Sequence, residues 1–404
     1  MKTVRIYFPT FPFPPTDGSA QVAAEQVRVL MELGLDVELV VWKESEATLL
    51  LKKEQAASTV YGDSARKVSV RLMPEGDGGA PETSSGRALR TARALFSGNA
   101  SPELYYYPAL PFASLPVRDF GIYNYSFAYS QLREEARSER RRAVCFHNLE
   151  SDLFADRARH SGNPLVRALH RLNSDRLRKH EIELAGLADE VWFISPADQV
   201  EYQRRAPRAV SRLVPPTFAP AVAESRRARR HKASGPLRLG FIGGLDFGPN
   251  RESALWILDQ LAPRLEVVGF DGEILIAGKG ADSTLLAKAA RFPFVKFVGF
   301  LPDAEDFWSS ISVLIAPHLS GSGVRMKILE GLVSGVLTFT TCAGAERLDP
   351  SLRNHPLLWC NDDPTLWVKR ISGVLPWAGA SGEALPDALI GERVYGFMRE
   401  GSER

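Results

Sequence analysis

The sequence predicts an α/β protein made of two doubly wound domains. Three observations carry that reading. The chain has 404 residues, more than one hydrophobic core normally serves and enough for two domains of ordinary size. Short apolar runs alternate with helical patterns, and the alternation occurs twice. A stretch rich in proline and arginine, 206–236, separates the two series and ends in Ser234-Gly235-Pro236. The boundaries that follow are a first domain over 1–215, a linker over 216–236, a second domain over 237–384, and a tail over 385–404 in which Ile390, Val394 and Phe397 are spaced as one helical face.

In the first series, VRIYFP at 4–9 reads as a strand, followed by a turn-rich segment from Pro12 to Gly18. Residues 19–33 place Ala23, Val27, Leu30 and Met31 on one helical face, and Gly34 ends the pattern. DVELVVW at 36–42 is the next strand, with later strands at 68–72, 143–147 and 190–194. Residues 75–102, rich in Gly, Ser, Ala and Pro, resist placement. In the second series LRLGFIG at 237–243 is a strand, and Asn250 is placed to cap a helix bearing Ala254, Leu255, Leu258 and Leu261. Strands follow at 273–278 and 295–300; Asp303 caps a helix with Phe307, Trp308 and Ile311; and VLIAP at 313–317 is a short buried strand. The next helix turns Val324, Ile328, Leu329 and Leu332 inward, and LTFTT at 337–341 closes the series. Strands that are apolar throughout belong to parallel sheets covered on both faces, and such sheets bind ligands beyond their carboxyl ends. Two domains of this kind facing each other leave a cleft.

Composition excludes several classes. A net charge of +2 argues against a dedicated nucleic-acid binder. Basic clusters at Arg137, Arg140, Arg141, Arg142 and at Arg226, Arg227, Arg229, Arg230 read as a solvated helix face and a flexible linker; the sharper alternative is a peripheral contact with anionic lipid or an acidic acceptor. Cys145, Cys342 and Cys360 are odd in number and distant in sequence, which argues against a disulfide framework and fits a reducing, cytoplasmic setting. Prolines interrupt the opening apolar run, no signal peptide is expected, and no apolar stretch approaches the ~20 residues that span a bilayer.

The most informative segment is 313–346, VLIAPHLSGSGVRMKILEGLVSGVLTFTTCAGAE. A strand, a glycine-bearing loop and a helix start make an anion site, because free N–H groups point out of the helix end and glycines let a ligand approach the backbone. Arg325 and Lys327 lie in the first turn, where a cation opposes the helix dipole unless an anion is bound. Glu330 is one turn on; it reads equally as a ribose-binding carboxylate or as the partner of Lys327 in a surface pair.

These residues resemble the C-terminal signature of the group 1 glycosyltransferases, the retaining family of the GT-B fold, and in particular the branch with a G-S-G-V-R-x-K-x-x-E loop. GFIGGLDFGPN (240–250), IAGKG (276–280), FVGFLPD (297–303) and TTCAGAERL (340–348) match in order, so that the resemblance is close over 237–350. It extends more loosely to FPTFPFPPTDGSAQ (8–21), FHNLESDLF (146–154) and EIELAGLADEVWFIS (181–195). It implies two Rossmann-like domains facing across a cleft, a tail helix over 385–404 that crosses back to the first domain, and transfer from a nucleoside-diphosphate sugar, with no metal or other cofactor, to a glycan, lipid-linked or small-molecule acceptor. It implies that Gly18 and Ser19 face the diphosphate, that His147 lies near the transferred sugar, and that Arg325 and Lys327 neutralise the leaving group. Glu330 matches the second glutamate of the family's E-x7-E motif, which binds ribose. Gly244, Gly278, Gly280, Phe300, Leu301, Gly321, Ser322, Gly323 and Val324 fall on the donor-binding turns. The first glutamate of the motif is replaced by Ser322. The Arg and Lys that many relatives carry after the first strand of the second domain are absent, Leu245, Asp246 and Asn250 standing there. Glu150 and Asp152 either face the acceptor or cap the helix they begin. Two alternatives stay open: a nucleotide-sugar epimerase on the same fold, and a non-catalytic relative that only binds.

Overall fold

The computed structural model describes residues 2–73, 115–126, 139–230, 235–301, 304–319, 323–374, 386 and 389–400. The chain divides into two compact units. The first holds Met1–Thr217 with the tail from Gly391; the second holds Phe218–Ile390 apart from Ser322–Val324, which groups with the first.

In the first unit the strands are β1 (Thr3–Tyr7), β2 (Asp36–Val41), β3 (Ser69–Leu72), β4 (Arg118–Asn124), β5 (Glu139–Phe146), β6 (Glu190–Phe193) and β7 (Ser211–Leu213). They form one parallel sheet in the order β3-β2-β1-β4-β5-β6-β7, with Val4 registered on Val37 at one side and on Phe120 at the other. The helices are α1 (Gly18–Glu32), α2 (Glu46–Ala56), α3 (Gly62–Lys67), α4 (Glu150–His160), α5 (Pro164–Leu184) and α6 (Pro196–Arg205). Chain order reverses direction between β1 and β4, so the carboxyl ends of those strands are the unit's topological switch. Helix α1 stops because Gly34 takes a left-handed φ of +81° while the Leu35 N–H reaches back to the Leu30 carbonyl, as a C-terminal glycine permits. β4 and β7 escape a reading of the sequence. β4 opens on Arg-Asp and contains Gly121, and β7 is three residues long, so neither shows an apolar run.

The tail belongs to this unit as two short helices, α15 (Gly391–Tyr395) and α16 (Phe397–Glu400), where the sequence pattern predicts one. Tyr395 and Met398 are buried, Val394 and Phe397 of the predicted face are only half-buried, and Ile390 counts with the second unit. A Cβ added to Gly391 would stand 2.2 Å from Val29, so the tail lies directly on α1. That cover explains why α1 buries polar residues such as Gln26 and Arg28 beside its apolar face.

The second unit repeats the plan. Its strands are β8 (Arg238–Ile242), β9 (Glu273–Ala277), β10 (Val295–Gly299), β11 (Val313–Ala316), β12 (Leu337–Thr340) and β13 (Leu358–Cys360), in the parallel order β10-β9-β8-β11-β12-β13. Its helices are α7 (Pro220–Arg230), α8 (Gly248–Trp256), α9 (Ala262–Val267), α10 (Ser283–Ala289), α11 (Ala304–Ser310), α12 (Met326–Val333), α13 (Cys342–Glu346) and α14 (Pro364–Ser372). Phe241, Leu258, Ile274, Ile315 and Phe339 join one face of the sheet to its covering helices in one core. The switch here lies between β8 and β11. β12 does not close the series, since β13 pairs beyond it, Thr340 opposite Cys360.

Two expectations are corrected. The linker over 216–236 contains α7, which packs within the second unit: buried Arg226 pairs with Glu305 at 2.7 Å and donates to Ser334, and Arg227 donates to the Val333 carbonyl. Proline and arginine density suggests a tether; Val222 and Ala223, buried on the same helix, are what fold it down. The other basic run begins a strand, not a helix face. Arg140, Arg141 and Arg142 lie on β5 opposite Asp119, Glu190 and Asp189, while Arg137 is outside the described residues. Finally, Cys342 and Cys360 remain free thiols but are brought to 3.5 Å by the β12–β13 pairing. Among the described residues no helix is long and apolar enough to cross a membrane.

Candidate functional site

The second unit concentrates charge at its switch. β8 is followed by Gly243 and Gly244, and a Cβ on Gly278, whose φ is +140°, would stand 2.0 Å from the Gly243 carbonyl oxygen. The turns after β8 and β9 are therefore pressed together, and the Leu245 N–H bonds the Lys279 carbonyl at 2.7 Å. Gly280 (φ +83°) continues the same turn against Asp246. Only glycine fits such an approach.

Asn250 is not the cap expected of it. Helix α8 starts at Gly248 with Phe247 in the capping position, and Asn250 lies in the first turn. Its Nδ2 donates to the Gly244 carbonyl at 3.0 Å, and its Oδ1 accepts from Lys327 Nζ at 2.8 Å. The ammonium also stands 4.1 Å from the centroid of the Phe241 ring, a cation–π contact. Thus the lysine of α12 occupies the end of β8, where a basic residue local to β8 is missing. Burial pushes Lys327 down to about 7, the neighbouring Arg325 pushes the same way, and Glu330 opposes them. Arg325 is itself buried and immediately precedes α12, whose start no side chain caps. Two close cations at an uncapped helix start are an arrangement that an anion relieves.

Glu330, half-buried one turn later, has its carboxyl pushed up by burial, with Arg226 and Lys327 pulling it back and Glu305 reinforcing the rise. It does not form the surface pair with Lys327, whose ammonium is held by Asn250. Phe300 is exposed, Leu301 and Val324 are half-buried, and Gly323 has a φ of +80°. Gly321, Ser322 and Asp303 lie outside the described residues.

In the first unit, His147 follows β5 and is buried. Gln26 Nε2 faces Cys145, Asn124 Nδ2 donates to Gln26 Oε1 at 3.0 Å, and Asn124 Oδ1 then faces His147 Nε2 at 2.8 Å. Facing the Asn124 carbonyl oxygen, Nε2 carries the hydrogen, and Nδ1 is a lone-pair acceptor with no partner among the described residues. Burial lowers the ring to about 3, so it is neutral at physiological pH. Tyr125, at φ +73°, holds its ring 4.4 Å from the imidazole.

Gly18 and Ser19 open α1, but Asp17 Oδ1 already accepts from the Ser19 and Ala20 N–H groups at 2.9 Å each. Glu150 and Asp152 are in the first turn of α4 and neither caps it; Asp152 pairs with Arg205 at 2.6 Å. The free N–H of Ser151 is met from another helix by buried Glu181, at 3.0 Å.

Among known protein families, residues 236–376 match the glycosyl transferases of group 1. No curated protein matches the sequence. Solved structures share the fold at low identity. HepE from Anabaena, solved in complex with UDP, is 12% identical and superposes with a TM-score of 0.57 over 99% of this chain and 95% of its own. A glycosyltransferase from Rickettsia africae gives 10% and 0.54, over 99% and 92%. The α,α-trehalose 6-phosphate synthase from Burkholderia multivorans gives 12% and 0.56, over 99% and 95%. Two all-parallel doubly wound units in one chain are the GT-B fold class. The matched segment, set in a fold shared with these structures, supports glycosyltransferase activity for this protein.

Proposed function

We propose that the chain transfers a sugar from a nucleoside-diphosphate sugar to a hydroxyl of a glycan, lipid-linked or small-molecule acceptor, with retention at the anomeric carbon and without a metal ion. The observation that carries the reading is the pair Arg325 and Lys327, the lysine held by Asn250, at the switch of the unit that matches the group 1 family. HepE was solved with UDP and with UDP-glucose, which makes uridine donors the first to test.

In this reading the bond from the anomeric carbon to the diphosphate oxygen breaks, and the departing diphosphate takes up the electron pair. Arg325, Lys327 and the start of α12 stabilise the charge that develops there. The acceptor oxygen bonds to the anomeric carbon on the same face, and its proton passes to the departing phosphate oxygen. Glu330 accepts from the ribose hydroxyls. His147, neutral and with Nδ1 an acceptor, takes a hydrogen bond from a sugar hydroxyl; it neither carries charge to a phosphate nor acts as the base.

The test is incubation with UDP-glucose and an acceptor panel in the presence and absence of EDTA. UDP release that depends on acceptor, survives EDTA and yields an α-glycoside by NMR supports the reading in full. Isomerised donor without acceptor points to the epimerase instead.

A further inference from the structure

His318 is unexplained by packing. It stands two residues beyond β11, at the carboxyl end of one of the two switch strands, and is 3% exposed. Its carbonyl accepts from the Thr341 hydroxyl, and a Cβ on Gly344 would stand 3.5 Å from its own Cβ, so the start of α13 covers it. Among the described residues neither ring nitrogen has a hydrogen-bond partner. Buried polar atoms are rarely left in that state, because each has given up its bond to water for nothing in return. A leucine would fill a similar volume with no polar atom to satisfy. The β11 strand that ends just before this ring pairs with β8, and the turn after β8 holds Lys327 through Asn250; burial first, then Lys327 and Arg325, keep the ring neutral. A neutral imidazole offers one N–H and one lone pair, and here both are unused.

We infer that His318 is a donor-binding residue, whose ring N–H bonds a diphosphate oxygen of the nucleotide that Arg325 and Lys327 attract. The inference rests on the proposed function, since it assigns one more ligand to the same anion. A third donor with no charge of its own adds direction to a site otherwise built from two charges: it discriminates among oxygens of the diphosphate, where ammonium and guanidinium groups provide attraction.

The experiment is calorimetric titration with UDP, ADP, GDP and dTDP of the wild type, His318→Leu and His318→Asn. The wild type binds one nucleotide; His318→Leu weakens it at least tenfold, about 1.4 kcal/mol; and His318→Asn, which keeps an N–H, recovers part of the loss. Leucine binding within twofold of wild type overturns the inference and leaves the functional reading intact. A wild type that binds none of the four overturns both. Should the leucine variant fail to fold, the ring nitrogens of wild-type His318 are followed by ¹⁵N NMR, assigned through the signals missing in His318→Asn. Their shift on adding the bound nucleotide supports the contact, and their constancy overturns it.

Discussion

The two units present the same element of fold in opposite electrostatic states. Both are parallel sheets whose chain order reverses between neighbouring strands, and both place a histidine just beyond a strand near that reversal. In the first unit the helix start after β1 is closed by the Asp17 carboxylate, and His147 is held by the uncharged amides of Asn124 and Gln26. In the second unit the start of α12 has no side-chain cap, and His318 lies near Arg325 and Lys327. The contrast teaches that the topology supplies a place and the local charges decide what it takes. In the proposed reading the first unit takes a neutral, hydroxyl-bearing group and the second an anion.

The strongest way to break this comparison is to remove the cations. Lys327→Ala and Arg325→Ala should each lower kcat/KM about 100-fold or more, measured by UDP release, while the melting temperature changes little. Near-normal rates in either variant would move the anion site elsewhere. His147→Ala should lower turnover about 10- to 100-fold without changing UDP affinity, since its acceptor nitrogen has no use for a phosphate. A large loss of UDP affinity in that variant would end the assignment of the first unit to neutral groups.

The pH response sharpens the contrast further. Free Lys327 titrates near 7, and a bound diphosphate raises its pKa because it favours the charged form. Binding therefore takes up a proton above pH 7. Affinity for UDP-glucose is highest below pH 7 and falls as pH rises through 7, by up to about tenfold per unit, until the bound-state pKa is reached. Lys327→Arg, charged throughout, should flatten this profile in calorimetry at several pH values. Asn250→Ala, which frees the ammonium, should raise KM for the donor about tenfold and leave kcat closer to normal. The smallest effect belongs to Asp17→Ala: about 1 kcal/mol of stability lost with the helix cap, read by denaturant titration, and donor affinity within about twofold.

Much of this is legible in the sequence. Gly34 ends α1 where the periodicity stops, and Arg325, Lys327 and Glu330 fall in one stretch whose strand, loop and helix are adjacent in the chain. Other features are hidden for definite reasons. β4 is interrupted by charge and glycine, β13 is three residues long, and α7 carries four arginines that mimic a solvated tether. Asn250 resembles a cap because Pro-Asn before an apolar helical pattern usually is one; its bond to Lys327 spans 77 residues.

The sequence by itself determined most of the elements and the identity of the charged groups, because periodicity and capping act within a few residues of one another. Only the tertiary structure decided which groups meet. Strand order laid β11 against β8 and so brought the α12 lysine to the turn after β8. The same order set β13 against β12 and brought Cys342 to Cys360. Burial, a property of the assembled layers and not of any segment, left the nitrogens of His318 without partners and moved Lys327 into the physiological range.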